Sequence, residues 1–204
     1  MRTASFERQE ILTKAKKLIL STPIHKTTMS EIGESCSMSP AHLYNFFKNK
    51  LDLAVAVLAD INRGYEDELR DFLKSDQPVE KVLLTYFDQE LMFHARDLQR
   101  HAGMKPLLQM VRNKNRMAYE RIEQRYLKNL SVYLDRQISV GQIKPQDPVK
   151  LAQLLHVITH SARYPTFGSS ADIEIQRHSL RDIIELLMTG ILTKKMPSAG
   201  KAEG

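Results

Sequence analysis

The 204-residue chain has one cysteine, Cys36, and no tryptophan. A lone cysteine has no partner within the chain, so an internal disulfide framework and a cysteine zinc site are both excluded. No Lys or Arg adjoins Cys36 in sequence to lower its pKa, and it reads as a small residue in a reduced compartment. Long apolar runs are missing too. None approaches the roughly 20 residues needed to cross a bilayer, and the opening MRTASFERQE is too charged to begin a signal peptide, so a cytoplasmic protein is expected. The eight glycines are scattered, which leaves no Gly-rich phosphate loop, and no Ser/His/Asp or Cys/His grouping announces catalysis. No enzyme activity and no cofactor are expected. Alternating β-branched runs are also nearly absent, and apolar residues recur at spacings of three and four, the period of helices. The fold class is therefore all-α. A hydrophobic content of 42% over this length is enough to build a core in one sizeable domain or two small ones.

What charge there is lies unevenly. Residues 1–50 hold eight Lys or Arg against four Asp or Glu, so +4 of the net +6 falls in the first quarter. A basic head that meets a polyanion, with a nearly neutral body behind it, is one reading; a solvated charged face is the other.

Ile11, Leu12, Ala15, Leu18 and Ile19 make the stripe of a first helix, stopped by Pro23, with Lys14, Lys16 and Lys17 off the stripe. The segment TTMSEIGESCSMSPAHLYNFFKNK, residues 27–50, then starts a helix three times. Thr28 and Glu31 form a T-x-x-E capping box. Ser39 and Pro40 supply an N-cap and a proline at the first helical position. Asn49, with Asp52 three residues on, opens a long helix through Leu51, Leu58, Tyr65 and Phe72. Further helices are expected through Val82 to Leu91, through Met110 to Ile138 with Gly141 as its C′ residue, over 147–163 after the Asp147–Pro148 start, and over 173–193. The loop TFGSSAD separates the last two, and the tail 195–204 has no apolar period, which predicts disorder.

Two short helices joined by a four-residue turn within ESCSMS, set against a preceding amphipathic helix, have the arrangement of a helix-turn-helix. In PAHLYN, residues 40–45, Leu43 is placed to anchor inward while His42, Tyr44 and Asn45 point outward. The run from Ile32 to Leu53, I-x-x-x-x-x-M-S-P-A-H-L-Y-N-F-F-K-N-K-L-D-L, resembles the signature of the TetR family of bacterial transcriptional regulators. The close match covers about residues 5–60. It departs from the family pattern at Ser37, where glycine is usual in the turn, and at Gly33, where alanine is usual and where glycine should soften the second helix. A non-glycine residue held left-handed at 37 costs roughly 1 kcal/mol.

The resemblance implies a DNA-binding head over 1–50 and an all-helical ligand-binding and dimerisation body over 51–194. It implies a homodimer that binds a palindromic operator in double-stranded DNA, most often as a repressor released by a small-molecule effector. It also implies that Thr28 and Ser39 hold phosphates, that Tyr44 gives its hydroxyl to a phosphate and that Lys50 pairs with the DNA backbone. His42 and Asn45 are placed to reach base edges and Ala41 to touch a thymine methyl. The rival classes are a helical enzyme or carrier with an incidental basic head, and a non-specific DNA binder.

Other signals are weaker. His156 and His160 stand four apart, the spacing of a two-histidine metal arm, but no Glu follows the first and no third ligand is in register, so no metal is expected. Glu90 and His94 share the spacing, and no metal is expected there either. Met92, Met104, Met110 and Met117 with Phe87 and Phe93 crowd the middle of the body, and methionine suits a cavity for apolar ligands as well as core filling. A pocket lined by Phe87, Leu91, Met110, Met117 and His156 is the resulting expectation. The apolar stripe of the final helix, with Leu180, Ile184, Leu187 and Met188, is expected to pair with Leu154 and Ile158 of the helix before it in a four-helix dimer bundle.

Overall fold

In a computed structural model the described residues, 4–163 and 170–191, are helical throughout their regular elements. The elements are α1 (Ala4–Ser21), a 3-10 turn (Ile24–Lys26), α2 (Met29–Ser35), α3 (Pro40–Tyr44), α4 (Lys50–Phe72), α5 (Val79–Arg100), α6 (Met104–Lys114), α7 (Arg116–Ser139), α8 (Pro148–Arg163) and α9 (Ser170–Ile191).

The three starts in residues 27–50 form as their side chains dictate. The Thr28 hydroxyl accepts from the Glu31 amide while the Glu31 carboxylate accepts from the Thr28 amide, both halves of a capping box. Ser39 accepts from the His42 amide with Pro40 behind it, and Asn49 accepts from the Asp52 amide. The turn between α2 and α3 holds Ser37 at φ 59°, in the left-handed region, as its place in the turn predicts. Gly33 does more than soften α2: a Cβ there would stand 2.9 Å from the Met38 carbonyl oxygen, so the glycine lets the turn fold back tightly on the helix.

The expected long segment from Met110 to Ile138 is two helices. It breaks at Asn115, which leaves helical geometry and caps α7 by accepting from the Ala118 amide at 3.1 Å. Gly141, at φ 75°, ends α7 as a C′ residue, and the Gln142 amide returns to the Gln137 carbonyl. Asp147 caps α8 through the amides of Val149 and Lys150. The last helix begins at Ser170, three residues before the expected start. Residues 166–169 of the TFGSSAD loop, Leu192 and the tail 195–204 lie outside the described residues.

α4 leads away from the head and α5 returns to it, so the α5–α6 loop docks on the end of α1. The Gly103 amide donates to the Leu20 carbonyl at 2.9 Å, and a Cβ on Gly103 would fall 1.7 Å from the Ile19 oxygen. No other residue type fits this joint without moving it. Lys16 and Gln9 of α1 also grip Asp60 of α4, at 2.6 and 3.0 Å. Burial pushes the Asp60 carboxyl up, but the hydrogen bonds from Lys16 and Gln9 outweigh it and hold the group below its ordinary value. One apolar cluster accordingly runs from Ile11 and Leu43 in the head through Leu58 and Phe87 to Met188 in the body.

The stripe of α9 turns inward. Leu180, Ile184 and Met188 pack within their own chain at 0 to 1% exposure, which corrects their expected place in a dimer interface. The apolar side chains left outside on α8 are Val149, Leu154, Val157 and Ile158, and on α9 Ile175 and Leu186, with Leu187 half-buried. α9 is wide enough to cover its own core, and a different face carries the surplus.

Candidate nucleic-acid interface

The short α3 is a platform with one side fixed. Leu43 is fully buried and so is Phe47, in the same apolar cluster as Ile32 and Cys36, while Ala41, His42, Tyr44 and Asn45 are exposed. Tyr44, half exposed, is a large aromatic ring left outside beside a core that takes Phe47, an arrangement suited to contact rather than packing. Arg8 of α1 lies over the Phe47 ring at 4.9 Å and closes the other side.

The polar groups around the helix are already oriented. His42 Nε2 lies 2.8 Å from the Glu7 carboxylate of α1, and its ring meets Phe46 edge-on at 5.4 Å. Glu7 thus orients His42 on α3, and its signal in the sequence was only a charge in the first turn of α1. The Thr28 amide and hydroxyl are both taken by the Glu31 carboxylate, whose pKa is lowered first by the Thr28 backbone hydrogen bond and then by its hydroxyl. An incoming phosphate at Thr28 must therefore compete with Glu31. The Ser39 hydroxyl accepts from the His42 amide and keeps its own O–H for donation. Lys50 is half-buried and gives its ammonium to the Thr27 carbonyl at 2.8 Å, which ties the start of α4 to the cap of α2. The seven residues singled out in the sequence, Thr28, Ser39, Ala41, His42, Tyr44, Asn45 and Lys50, thus lie in the caps, the reading helix and the first residue of α4.

The five expected pocket residues do not gather in this way. Phe87 and Leu91 are buried core residues of α5, whereas Met117 is 73% exposed on α7 and lines no enclosed pocket with them. Met110 faces a cleft between head and body with Ile24, His25 and Lys50. His156 is paired with Glu123 at 3.1 Å.

What periodicity did not disclose is the polar interior behind them. Asn62, Glu66, Glu90, His94 and Asp97 are all buried between α4 and α5. The Tyr126 hydroxyl donates to Asn62 at 2.8 Å, Arg125 pairs with Glu66 at 2.9 Å, and the Tyr65 hydroxyl donates to Asp97. Burial pushes the Glu66 carboxyl up despite Arg125, and raises Asp97 despite His101 and Arg100. Burial, then Glu90 and Glu66, pushes the Tyr126 phenol far above its ordinary value.

Comparison with known proteins agrees with the geometry. Residues 11–57 match the family described as bacterial regulatory proteins, tetR family. No curated protein sequence matched the chain. Among solved structures, a candidate TetR-family transcriptional regulator from Mesorhizobium loti superposes with a TM-score of 0.75 at 17% identity, over 95% of this chain and 100% of that one. A TetR-family regulator from Pectobacterium atrosepticum gives 0.71 at 19% identity, over 95% and 99%. SmeT, the repressor of the Stenotrophomonas maltophilia multidrug efflux pump SmeDEF, gives 0.64 at 15% identity, over 97% and 96%. Residues 11–57 thus match the TetR-family model, and the chain as a whole has the all-helical fold of the solved TetR-family transcriptional regulators.

Proposed function

We propose that the protein is a ligand-responsive transcriptional regulator, a repressor that grips a palindromic operator as a homodimer and lets go when a small molecule binds its body. The observation that carries this reading is α3 itself: five residues, one buried anchor, and an outer surface of Ala41, His42, Tyr44 and Asn45 between two capped helix starts. A helix so short contributes little to a core and is well suited to present side chains to a major groove. Residues 1–50 form the reading unit and 51–194 the responding one. Ser39, Tyr44 and Lys50 hold phosphates, with Thr28 joining them once Glu31 yields; His42 and Asn45 read base edges and Ala41 a thymine methyl.

Dimerisation is supported by the exposed apolar residues of α8 and α9, Leu154, Val157, Ile158 and Leu186, which are costly to leave in water. Effector binding is supported by the buried polar set around Asn62, Glu90 and Tyr126, which offers hydrogen-bonding groups inside an apolar body. The repressor role is supported by the shared fold with SmeT. Competition between a selected operator and random duplex at physiological salt tests the reading: a regulator prefers its operator by about 10³-fold or more. Equal affinities would identify a non-specific binder instead.

A further inference from the structure

The head is not the most basic part of this chain. Residues 96–116 carry six Arg or Lys against the single Asp97, a net of +5, whereas residues 51–95 carry ten Asp or Glu against four Lys or Arg. Asp97 is buried, bonded to Tyr65 and paired with Arg96 at 3.6 Å, so it offsets the start of this cluster and leaves the cations of α6 and the α6–α7 corner uncompensated by it. Arg96 lies over the Phe93 ring, but Arg100, Lys105, Arg112, Lys114 and Arg116 are all exposed. Lys and Arg in the last turn of α6 complement its dipole, which accounts for Arg112 and Lys114 but not for Arg116 beyond the helix or for Lys105 at its start. Arg116 reaches Glu120 at 2.7 Å, an exposed pair that contributes little.

Position decides what this cluster meets. α6 packs on α4, α1 and the 3-10 turn, and a cleft of about 400 Å³ at that junction is lined by Lys114 and Asn113 of α6 and by His25 and Lys50 of the head. Lys114 therefore shares a wall with Lys50, which belongs to the proposed DNA surface. From this we infer that the α6–α7 corner, Arg112, Lys114 and Arg116, is a second, sequence-independent DNA-contact surface that meets backbone phosphates next to those held by Lys50. The inference rests on the head binding DNA. Its partner is the duplex polyanion, because the patch is continuous with that surface and its +5 exceeds the net +2 of the whole nearly neutral body, residues 51–204.

The test uses the full chain with all three residues replaced, Arg112→Gln, Lys114→Gln and Arg116→Gln. The control is Lys81→Gln, Lys128→Gln and Lys150→Gln, which removes equal charge from exposed sites elsewhere on the body. Anisotropy titrations over a salt series should show the slope of log affinity against log salt falling by about five units for the corner variant, about 0.9 for each of the three cations of both protomers, alike on operator and random duplex. The consensus selected from random DNA and the helical content should not change. A slope change no larger than the control's overturns the proposal. So does binding of the wild type, but not the corner variant, to phosphatidylglycerol vesicles with an unaltered DNA slope. If the wild type shows no operator preference, the reading of the head fails while the random-duplex slope still decides the role of the corner.

Discussion

The head and the body solve opposite problems. In the head, α2 and α3 are seven and five residues long, too short to be stable by packing alone, and each is opened by a side-chain cap. Among its described residues the polar ones stay outside, apart from Thr27. In the body, α5 and α6 start without any side-chain cap, on Pro78 and Gly103, and rely on the faces they bury. The body also takes Asn62, Glu66, Glu90, His94 and Asp97 inside. The difference teaches where rigidity and responsiveness reside. Under the proposed function, a head fixed by local hydrogen bonds keeps its shape whatever the body does, and a body with a polar interior has groups whose partners a ligand can replace.

The sharpest way to separate inner from outer faces is on α9. Ile184→Glu buries a charge with no counter-ion and should unfold the chain or lower its stability by about 3 kcal/mol or more. Val157→Glu with Leu186→Glu changes residues that are already exposed, and should leave the melting curve near wild type while sedimentation shows monomers. A dimeric double variant would place the interface elsewhere.

The joint between head and body is tested at Gly103. Gly103→Ala forces a Cβ against the Ile19 carbonyl and should cost about 1–3 kcal/mol, with operator affinity falling while the dimer persists. Denaturation with parallel DNA titration reads both, and unchanged affinity would show that the joint does not set the head's posture.

Smaller effects probe each region's own chemistry. Ser37→Gly removes the left-handed strain in the turn and should raise stability by roughly 0.5–1 kcal/mol, measured by denaturant unfolding. In the body, Asp97 has a raised folded pKa, so its ionised form disfavours folding above that value, and the penalty disappears as pH falls toward the ordinary carboxylate range. Wild type should therefore gain stability relative to Asp97→Asn on mild acidification from neutral pH. Parallel pH profiles for the two proteins would contradict the assignment.

The same contrast explains how much was legible in the sequence. Thr28, Ser39 and Asn49 act on amides three residues away, so the head could be read from nearby letters. The caps at Asp147 and the C′ glycine at 141 were legible for the same reason. Asn115 was missed because the apolar period carries on across it from Met110 to Ile122, and the break lies in one backbone angle pair. The pairing of His42 with Glu7, 35 residues away, and of Tyr126 with Asn62, 64 away, depends on tertiary placement that no local pattern records. The inward turn of Leu180, Ile184 and Met188 was illegible because an apolar stripe looks the same whether it meets its own chain or a partner.

Selection of bound sequences from a random duplex pool by the full-length protein tests the central claim most directly. The account predicts a two-fold palindrome whose half-sites lie about 34–36 Å apart, one turn of the duplex, with His42→Ala relaxing the preference at one position in each half. A pool that enriches nothing, or enriches a single unpaired site, would contradict a dimeric reader built on α3.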